Sequence, residues 1–337
     1  MNNNVIAVLG KFDMGDLEAV FCDFQVKWSE DFPETKPGFF LTYFHGDVQS
    51  NLLIKHFNCD VHILKYWCQS NECNDESLVH SIYSLKAAID KPKCSSGMLL
   101  VPPNLFDQCR DIAYVLFTSI YQIKVKSCSY LEWDIVQLGK ETNIQDHIVN
   151  YLSQLKTSDE IKFLQSSLVP SQFYHGYSLR YGGLSTFSDH ASLNMCFSSR
   201  KKDCKEVVNE NRIRLAKAGK KKKKAGGTKP KDLLVTVGPS LGVCCCEFGI
   251  EGSNQFLSID KACVVWKENH PKPFLNLRLA ASILLVKEGI PKSNIDDGTS
   301  DGSALATCTK CDPDRKLFSF RRDGPQFGNQ VGFIGMK

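Results

Sequence analysis

Between residues 1 and 150 the chain alternates short apolar runs with stretches whose apolar residues recur every three or four positions. Gly38–Phe44 is continuously aromatic and apolar, as a strand buried on both faces would be, while Val61–Trp67 alternates like a half-buried strand. Val48–Phe57, Glu76–Ile89, Phe106–Tyr121 and Ile144–Leu155 carry the helical period, and Asn74 or Asp75 can cap the second of these. Met98–Pro102 predicts a short buried strand stopped by Pro102 and Pro103, and Val125–Ile135 another strand. Strands alternating with helices imply an α/β sheet, here an N-terminal α/β domain over 1–155 that is expected to fold as a unit.

The pattern changes beyond Leu168. Val169–Arg214 is dense in Gly, Ser, Asn and aromatics. Gly219–Lys231 is basic and lacks any residue large enough to anchor a core, which predicts an exposed, mobile linker. After it come a strand at Leu233–Val237, a helix at Arg278–Val286 that stops at Gly289, and closing strands at Phe318–Arg321 and Val331–Ile334. Residues 165–337 therefore read as a second domain, interrupted by the linker at 219–231.

Composition narrows the picture only slightly. The chain has 337 residues, 42% of them hydrophobic, and a net charge of +4. That balance argues against strong steering toward nucleic acid or acidic membranes. The lysine run Lys220–Lys224 lacks interleaved aromatics and reads as solvated linker rather than a nucleic-acid site. No apolar stretch reaches membrane-span length, and Val5–Leu9 is too short for a signal peptide. The 15 cysteines are odd in number and irregularly spaced, so reduced thiols in an intracellular, cytoplasmic protein are expected.

Candidate chemistry is confined to the second domain. Tyr174–Gly183 places His175, Arg180 and paired glycines in one short run; an Arg fork suits phosphate or carboxylate, while a plain hairpin would leave the same trace. Gly238-Pro239-Ser240 follows a strand, where exposed N–H groups can hold an anion. It leads into Cys244-Cys245-Cys246, three thiols whose directions diverge, so packing is the expected role. Cys308 and Cys311 form a CxxC that could supply two of zinc's four ligands. No second CxxC follows, so packing is again the expectation. Arg321 and Arg322 beside Asp323 suggest an anion clamp or a surface turn in equal measure.

The order of these motifs is more specific than any one of them. His175-Gly176, Arg180–Ser185, Ser192-Leu193-Asn194, Val207–Asn211, Gly238-Pro239-Ser240 with Cys244-Cys245, and Phe318–Gly324 with Gly328-Asn329-Gln330 together resemble the laccase-domain family. The region before them resembles the extra N-terminal domain of vertebrate members. The resemblance implies a layered α/β fold, truncated here. It implies a homodimer and a purine nucleoside phosphorylase that also deaminates adenosine, with purine nucleosides and phosphate as ligands. It also implies a catalytic zinc held by two His and one Cys; the family's name suggests copper as well. His175, Arg180, Asn194 and Arg322 become the expected substrate-binding residues. The segment that carries the metal ligands in the family is missing: no His lies between His190 and His270, and Cys204 lacks the apolar strand context. No metal ligand or catalytic residue is assignable, and the chain is expected to hold well under one zinc. A catalytically inactive interaction protein is the alternative reading.

Overall fold

The computed structural model describes residues 4–9, 14–33, 39–43, 78–91, 93–131, 143–219, 229–299 and 302–336. The helix expected at 48–57, the strand at 61–67, the caps at Asn74 and Asp75, the far end of the 125–135 strand and the lysine run lie outside them. The chain divides into two compact units. The first comprises Met1–Lys156 with Leu184–Ser188 and Phe197–Glu210; the second comprises Thr157–Gly183, Asp189–Cys196 and Asn211–Lys337. The first unit therefore takes in two short segments beyond the 1–155 domain expected from sequence.

The first unit is an α/β sandwich. Strands β1 (Asn4–Leu9), β2 (Phe39–Tyr43), β3 (Ser96–Val101) and β4 (Gln122–Ser127) form a parallel sheet in the order β2-β1-β3-β4. Alternation sorts their side chains. Val5, Ala7 and Leu9 of β1 and Leu99 and Val101 of β3 face one cluster. That cluster is completed by α2 (Leu78–Asp90), α3 (Phe106–Leu116) and α4 (Ile144–Gln154). Val8, Met98 and Leu100 face the other cluster, against Val20, Phe24 and Trp28 of α1 (Leu17–Asp31). Those three α1 residues recur every fourth position and so share one helix face. A parallel sheet covered on both faces needs near-continuous apolar strands, which is what 96–101 supplies.

The departures from the sequence reading have local causes. α3 ends at Leu116 rather than Tyr121, because Phe117 is extended and Thr118 and Ser119 turn the chain. Their hydroxyls donate to the carbonyls of Lys201 and Ser199 at 2.7 and 2.8 Å. β4 consequently begins at Gln122, three residues earlier than expected, and sits at the sheet edge. α1 was not read from the sequence. Neither was α5 (Lys205–Ala218), whose first residues belong to the first unit and whose remainder belongs to the second.

Inside the first unit lies a buried polar group. Asp90, fully buried at the end of α2, accepts from Lys86 Nζ at 2.7 Å, from Thr186 Oγ1 at 2.5 Å and from the Tyr121 hydroxyl. Tyr83 donates to the Leu184 carbonyl at 2.6 Å, and Lys202 Nζ to the Cys94 carbonyl at 2.6 Å. These bonds explain why 184–188 and 197–210 belong with the first unit: buried polar groups of α2 take partners from 184–188, and buried Lys202 finds its acceptor at Cys94.

The second unit holds only narrow sheets among its described residues. β6 (Phe173–Ser178) lies between β5 (Phe163–Leu164) and β11 (Gly332–Met336), antiparallel to both. β7 (Val235–Thr236) pairs with β10 (Ile295–Asp296), and β8 (Val264–Val265) with β9 (Phe274–Leu275). α6 (Ile250–Ile259) precedes β8. α7 (Leu277–Lys287) follows β9, started by Asn276, whose side chain accepts from the Leu279 N–H at 3.1 Å. The expected strand at 318–321 is instead the short helix α8 (Phe320–Asp323). Asp323 reaches back to accept from the Ser319 N–H at 3.2 Å and closes a helical turn there. Among the described residues no helix is long and apolar enough to cross a membrane.

Two outcomes follow for the first unit. Leu100→Ala, at a position 1% exposed, should lower unfolding free energy by about 2–5 kcal/mol in urea titration, the range for a buried truncation. Burial also pushes Cys94 and Cys128 up to about 11 and Cys109 and Cys204 up to about 12. Stability from thiols that ionise late in the fold is complete below their unfolded value of 9.0. It is lost as pH rises from there through the folded values. Lys202, which burial lowers to about 8, works in the opposite direction between that value and its unfolded 10.5, one group against four. Thermal melts should hold to pH 9 and then decline, and Cys109→Val should flatten the decline. A melt unchanged to pH 11 would contradict this.

Candidate functional site

The glycine pair after β6 serves the chain's own packing. A Cβ on Gly183 would lie 2.2 Å from the Ser192 carbonyl oxygen. Only Gly lets the two backbones meet there. Arg180 stands just before this pair. Its carbonyl accepts from the N–H groups of Ser192 and Leu193 at 2.6 and 2.8 Å, and its own N–H donates to the Lys316 carbonyl at 3.0 Å.

The side chains of Arg180 and Arg322 converge on Asp323. Arg322 donates from Nε and Nη2 to the two oxygens of Asp323 at 2.8 and 2.9 Å. It also donates from Nη1 to the Thr309 carbonyl at 2.9 Å and from Nη2 to the Leu317 carbonyl at 2.5 Å. A guanidinium has five N–H donors, so nearly all of this one is engaged within the unit. Arg180 Nη1 lies 3.9 Å from Asp323 Oδ2, its Nε donates to the Ala191 carbonyl at 2.9 Å, and its plane sits 4.9 Å from the Phe318 ring centroid. Arg315 adds a third cation at 3.2 Å. Burial by itself would raise the Asp323 carboxyl; the hydrogen bonds from Arg322 and the Ser319 N–H outweigh it and hold the group below the usual carboxylate range. Burial also lowers Arg180, and Asp323 opposes that shift.

Asn194, fully buried, sits beside the same loop. Its oxygen accepts from the N–H groups of Cys196 and Asn329 at 3.1 and 3.2 Å. His175 belongs to a different network. Its Nε2 is 3.1 Å from the Ser166 nitrogen and 3.0 Å from the Ser166 carbonyl oxygen, and the Ser166 hydroxyl donates to Asp296 on β10. Thus Arg180, Asn194 and Arg322 share the segment 322–330, and His175 stands on its own hydrogen bonds. A cleft of about 690 Å³ lies in the first unit, between α3, β4 and residues 197–206, and none of the four predicted residues lines it.

The sequence reading missed a second constellation. The sulfurs of Cys244, Cys245, Cys308 and Cys311 all lie within 4.8 Å of one another, and Cys244 and Cys311 approach to 3.4 Å. Cys246 turns the other way, into a small core with Val264 and Leu275. The available signal was the adjacency of Cys244 and Cys245 combined with the CxxC spacing; the pairing of the two across 62 residues of chain is visible only in three dimensions. At Cys308, burial works against ionisation, but the N–H groups of Cys311, Gly242 and Lys310 outweigh it and hold the thiol down to about 6.

The family's two-His, one-Cys zinc set does not assemble from the residues described. The four thiols are the sole grouping of three or more candidate ligands among them. Of the second unit's three histidines, His175 is held on Ser166, His190 is fully buried, and His270 packs edge-on against Phe274, 5.0 Å between ring centroids. Cys204 lies in the core of the first unit.

Comparison with known proteins agrees with this anatomy. Residues 219–337 match the family described as multi-copper polyphenol oxidoreductase laccase. The human purine nucleoside phosphorylase LACC1 is 27% identical over 352 aligned positions, covering 77% of this chain and 81% of the relative. The mouse protein of the same name is 27% identical over 351, covering 77% and 80%. A purine nucleoside phosphorylase of Clostridium acetobutylicum, CA_C1699, is 29% identical over 105 residues, 31% of this chain and 39% of the relative. No solved structure matches the chain. Residues 219–337 are thus the part of the chain that is similar to the laccase-domain family. More particularly, the chain is a relative of proteins named purine nucleoside phosphorylase, and the alignment to the mammalian ones is longer than the chain itself, so they carry residues this chain lacks. Arg322 and the four clustered cysteines lie within residues 219–337, whereas His175, Arg180 and Asn194 precede them.

Asp323→Asn should destabilise the second unit by about 3–5 kcal/mol, the cost of leaving buried cations without their carboxylate. Urea unfolding followed at Trp266 reads this directly. A loss below about 1 kcal/mol would show the cluster to be solvated rather than buried.

Proposed function

We propose that the chain acts in purine nucleoside metabolism as a laccase-domain protein of the phosphorylase line that binds purine nucleoside and phosphate but does not turn them over alone. The similarity to proteins named purine nucleoside phosphorylase across 77% of the chain carries this reading. The line's reaction is phosphorolysis of adenosine, inosine, guanosine or S-methyl-5'-thioadenosine: a phosphate oxygen bonds to ribose C1' while the N-glycosidic bond breaks and the purine leaves. Adenosine deamination is the accompanying activity.

In this reading Arg322 and Arg180 frame the phosphate side, oriented by Asp323. Asn194 and His175 shape the purine side. Arg322 retains a share of exposure, its side chain 13% accessible against 7% for Arg180, and is the better placed to meet an anion. A catalytic zinc would supply Lewis-acid activation, but the two-His, one-Cys ligand set is absent from the grouping described, so no step is assigned to it. Binding alone leaves the barrier unchanged unless the transition state is held more tightly than the ground state.

A non-catalytic partner role, through pairing with a full-length copy, is the second reading. It is supported by apolar residues left open on the second unit, notably Ile250 at 57%, Trp266 at 60% and Ile334 at 67% exposure.

Purified chain should raise its melting temperature with inosine plus phosphate yet release no hypoxanthine by chromatography. Arg322→Gln should remove the phosphate-dependent part of the shift. Hypoxanthine release that is lost on chelation would overturn the assignment of a non-turning binder; no melting shift with any of the four nucleosides would overturn the binding itself.

A further inference from the structure

We propose that Cys244, Cys245, Cys308 and Cys311 form a closed tetrathiolate zinc centre that joins the turn at 242–246 to the turn at 308–311. This ligand set is separate from the two-His, one-Cys set of the family and departs from the expectation that the chain holds well under one zinc.

The geometry is close to what the ion requires. Tetrahedral zinc with Zn–S bonds of about 2.3 Å places its sulfurs about 3.8 Å apart. The four sulfurs lie within 4.8 Å of one another, with Cys244 and Cys311 3.4 Å apart, so modest side-chain rotation completes the tetrahedron. Both ligand-bearing turns are already formed. The N–H groups of Cys245 and Cys246 donate to the Gly242 carbonyl at 2.9 and 3.0 Å, and the Asp312 N–H donates to the Cys308 carbonyl at 3.1 Å. The turns are also tied together by backbone: the Thr309 N–H donates to the Ser240 carbonyl at 3.1 Å.

The surroundings suit thiolates rather than thiols. The Gly242 N–H donates to Cys308 Sγ at 3.2 Å. Four thiolates around one dication leave net negative charge, and two cations stand by to balance it. Lys267 Nζ donates to the Val243 and Cys244 carbonyls at 2.9 and 3.4 Å. Arg278 donates to the Thr307 and Ser240 carbonyls at 2.7 and 3.4 Å. Hydrogen bonds and cations of this kind fix ligand orientation around a metal. An all-sulfur tetrahedral set selects zinc or iron, and a set filled entirely by protein leaves no position for water, which marks a structural centre. On binding, each coordinated thiol that still carries a proton gives it to solvent.

The centre would act at a distance on the arginine cluster. Thr309 lies between the two ligands of the CxxC, and its carbonyl accepts from Arg322 Nη1. Holding Cys308 and Cys311 on a metal therefore fixes one of the contacts that position Arg322.

The test uses the full chain, expressed with zinc and iron both present. Elemental analysis should find about one zinc per chain, and cobalt exchanged for it should show intense sulfur-to-cobalt charge-transfer absorption. N-ethylmaleimide followed by peptide mapping should find Cys244, Cys245, Cys308 and Cys311 protected together and exposed together on chelation. This reading on the unmodified chain does not depend on any variant folding. The double variant Cys308→Ser/Cys311→Ser should lose zinc about tenfold or more, while Cys22→Ser, an exposed thiol of the first unit, should keep it. A metal-free chain, iron in place of zinc, a Cys244–Cys311 disulfide, or zinc retained by the double variant would each overturn the proposal.

Discussion

Asp323 accepts two hydrogen bonds from its neighbour Arg322, lies across from Arg180, and takes the Ser319 N–H and Arg315 as well. Removing such a carboxylate from water is costly, and only this density of donors offsets it. The consequence is structural reach. Arg180 brings the chain after β6, with its contacts to Ala191 and Lys316; Arg322 brings the carbonyls of Thr309 and Leu317. In a unit whose described sheets have no more than three strands, a satisfied ionic centre does part of the work that a broad apolar core does elsewhere.

The first unit solves the same problem by ordinary means. Its parallel sheet is covered on both faces, and alternation along β1 and β3 divides the core in two. Polar chemistry still enters at one place. Asp90, Lys86, Tyr121 and Thr186 form a buried group whose members are mutually satisfied, and that satisfaction draws the later segment 184–188 into the unit. A fragment ending near residue 156 would leave Asp90 without Thr186 and Tyr83 without the Leu184 carbonyl.

Two kinds of metal chemistry must be kept apart here, and the described residues gather ligands for only one of them. The family's activating zinc needs an open position and a two-His, one-Cys set, which the described residues do not gather. The thiol cluster offers four ligands and no opening. One belongs to turnover and the other to architecture, and the Thr309 carbonyl is the point at which the architecture reaches Arg322.

Periodicity in the sequence was enough for the α/β class and for β3, α2, α4 and α7, because these depend on local spacing; the order of motifs carried the resemblance to the laccase-domain family, because it depends only on residue order. α1 leaves only a weak periodic trace although Val20, Phe24 and Trp28 share a face, since acidic and polar residues between them dilute the period. The strand expected at 318–321 failed because Asp323 folds back on Ser319, a side-chain bond that hydrophobic pattern does not register. Arg180 and Arg322 stood out in the sequence as anion binders, and Asp323 is Arg322's neighbour there, but only the fold brings Arg180 to the same carboxylate. Cys244 and Cys308 lie 64 positions apart and looked like packing thiols. Residue types and spacing determined which groups could do chemistry; which of them meet was decided by chain closure over long separations, where geometry and burial, not local propensity, choose the partners.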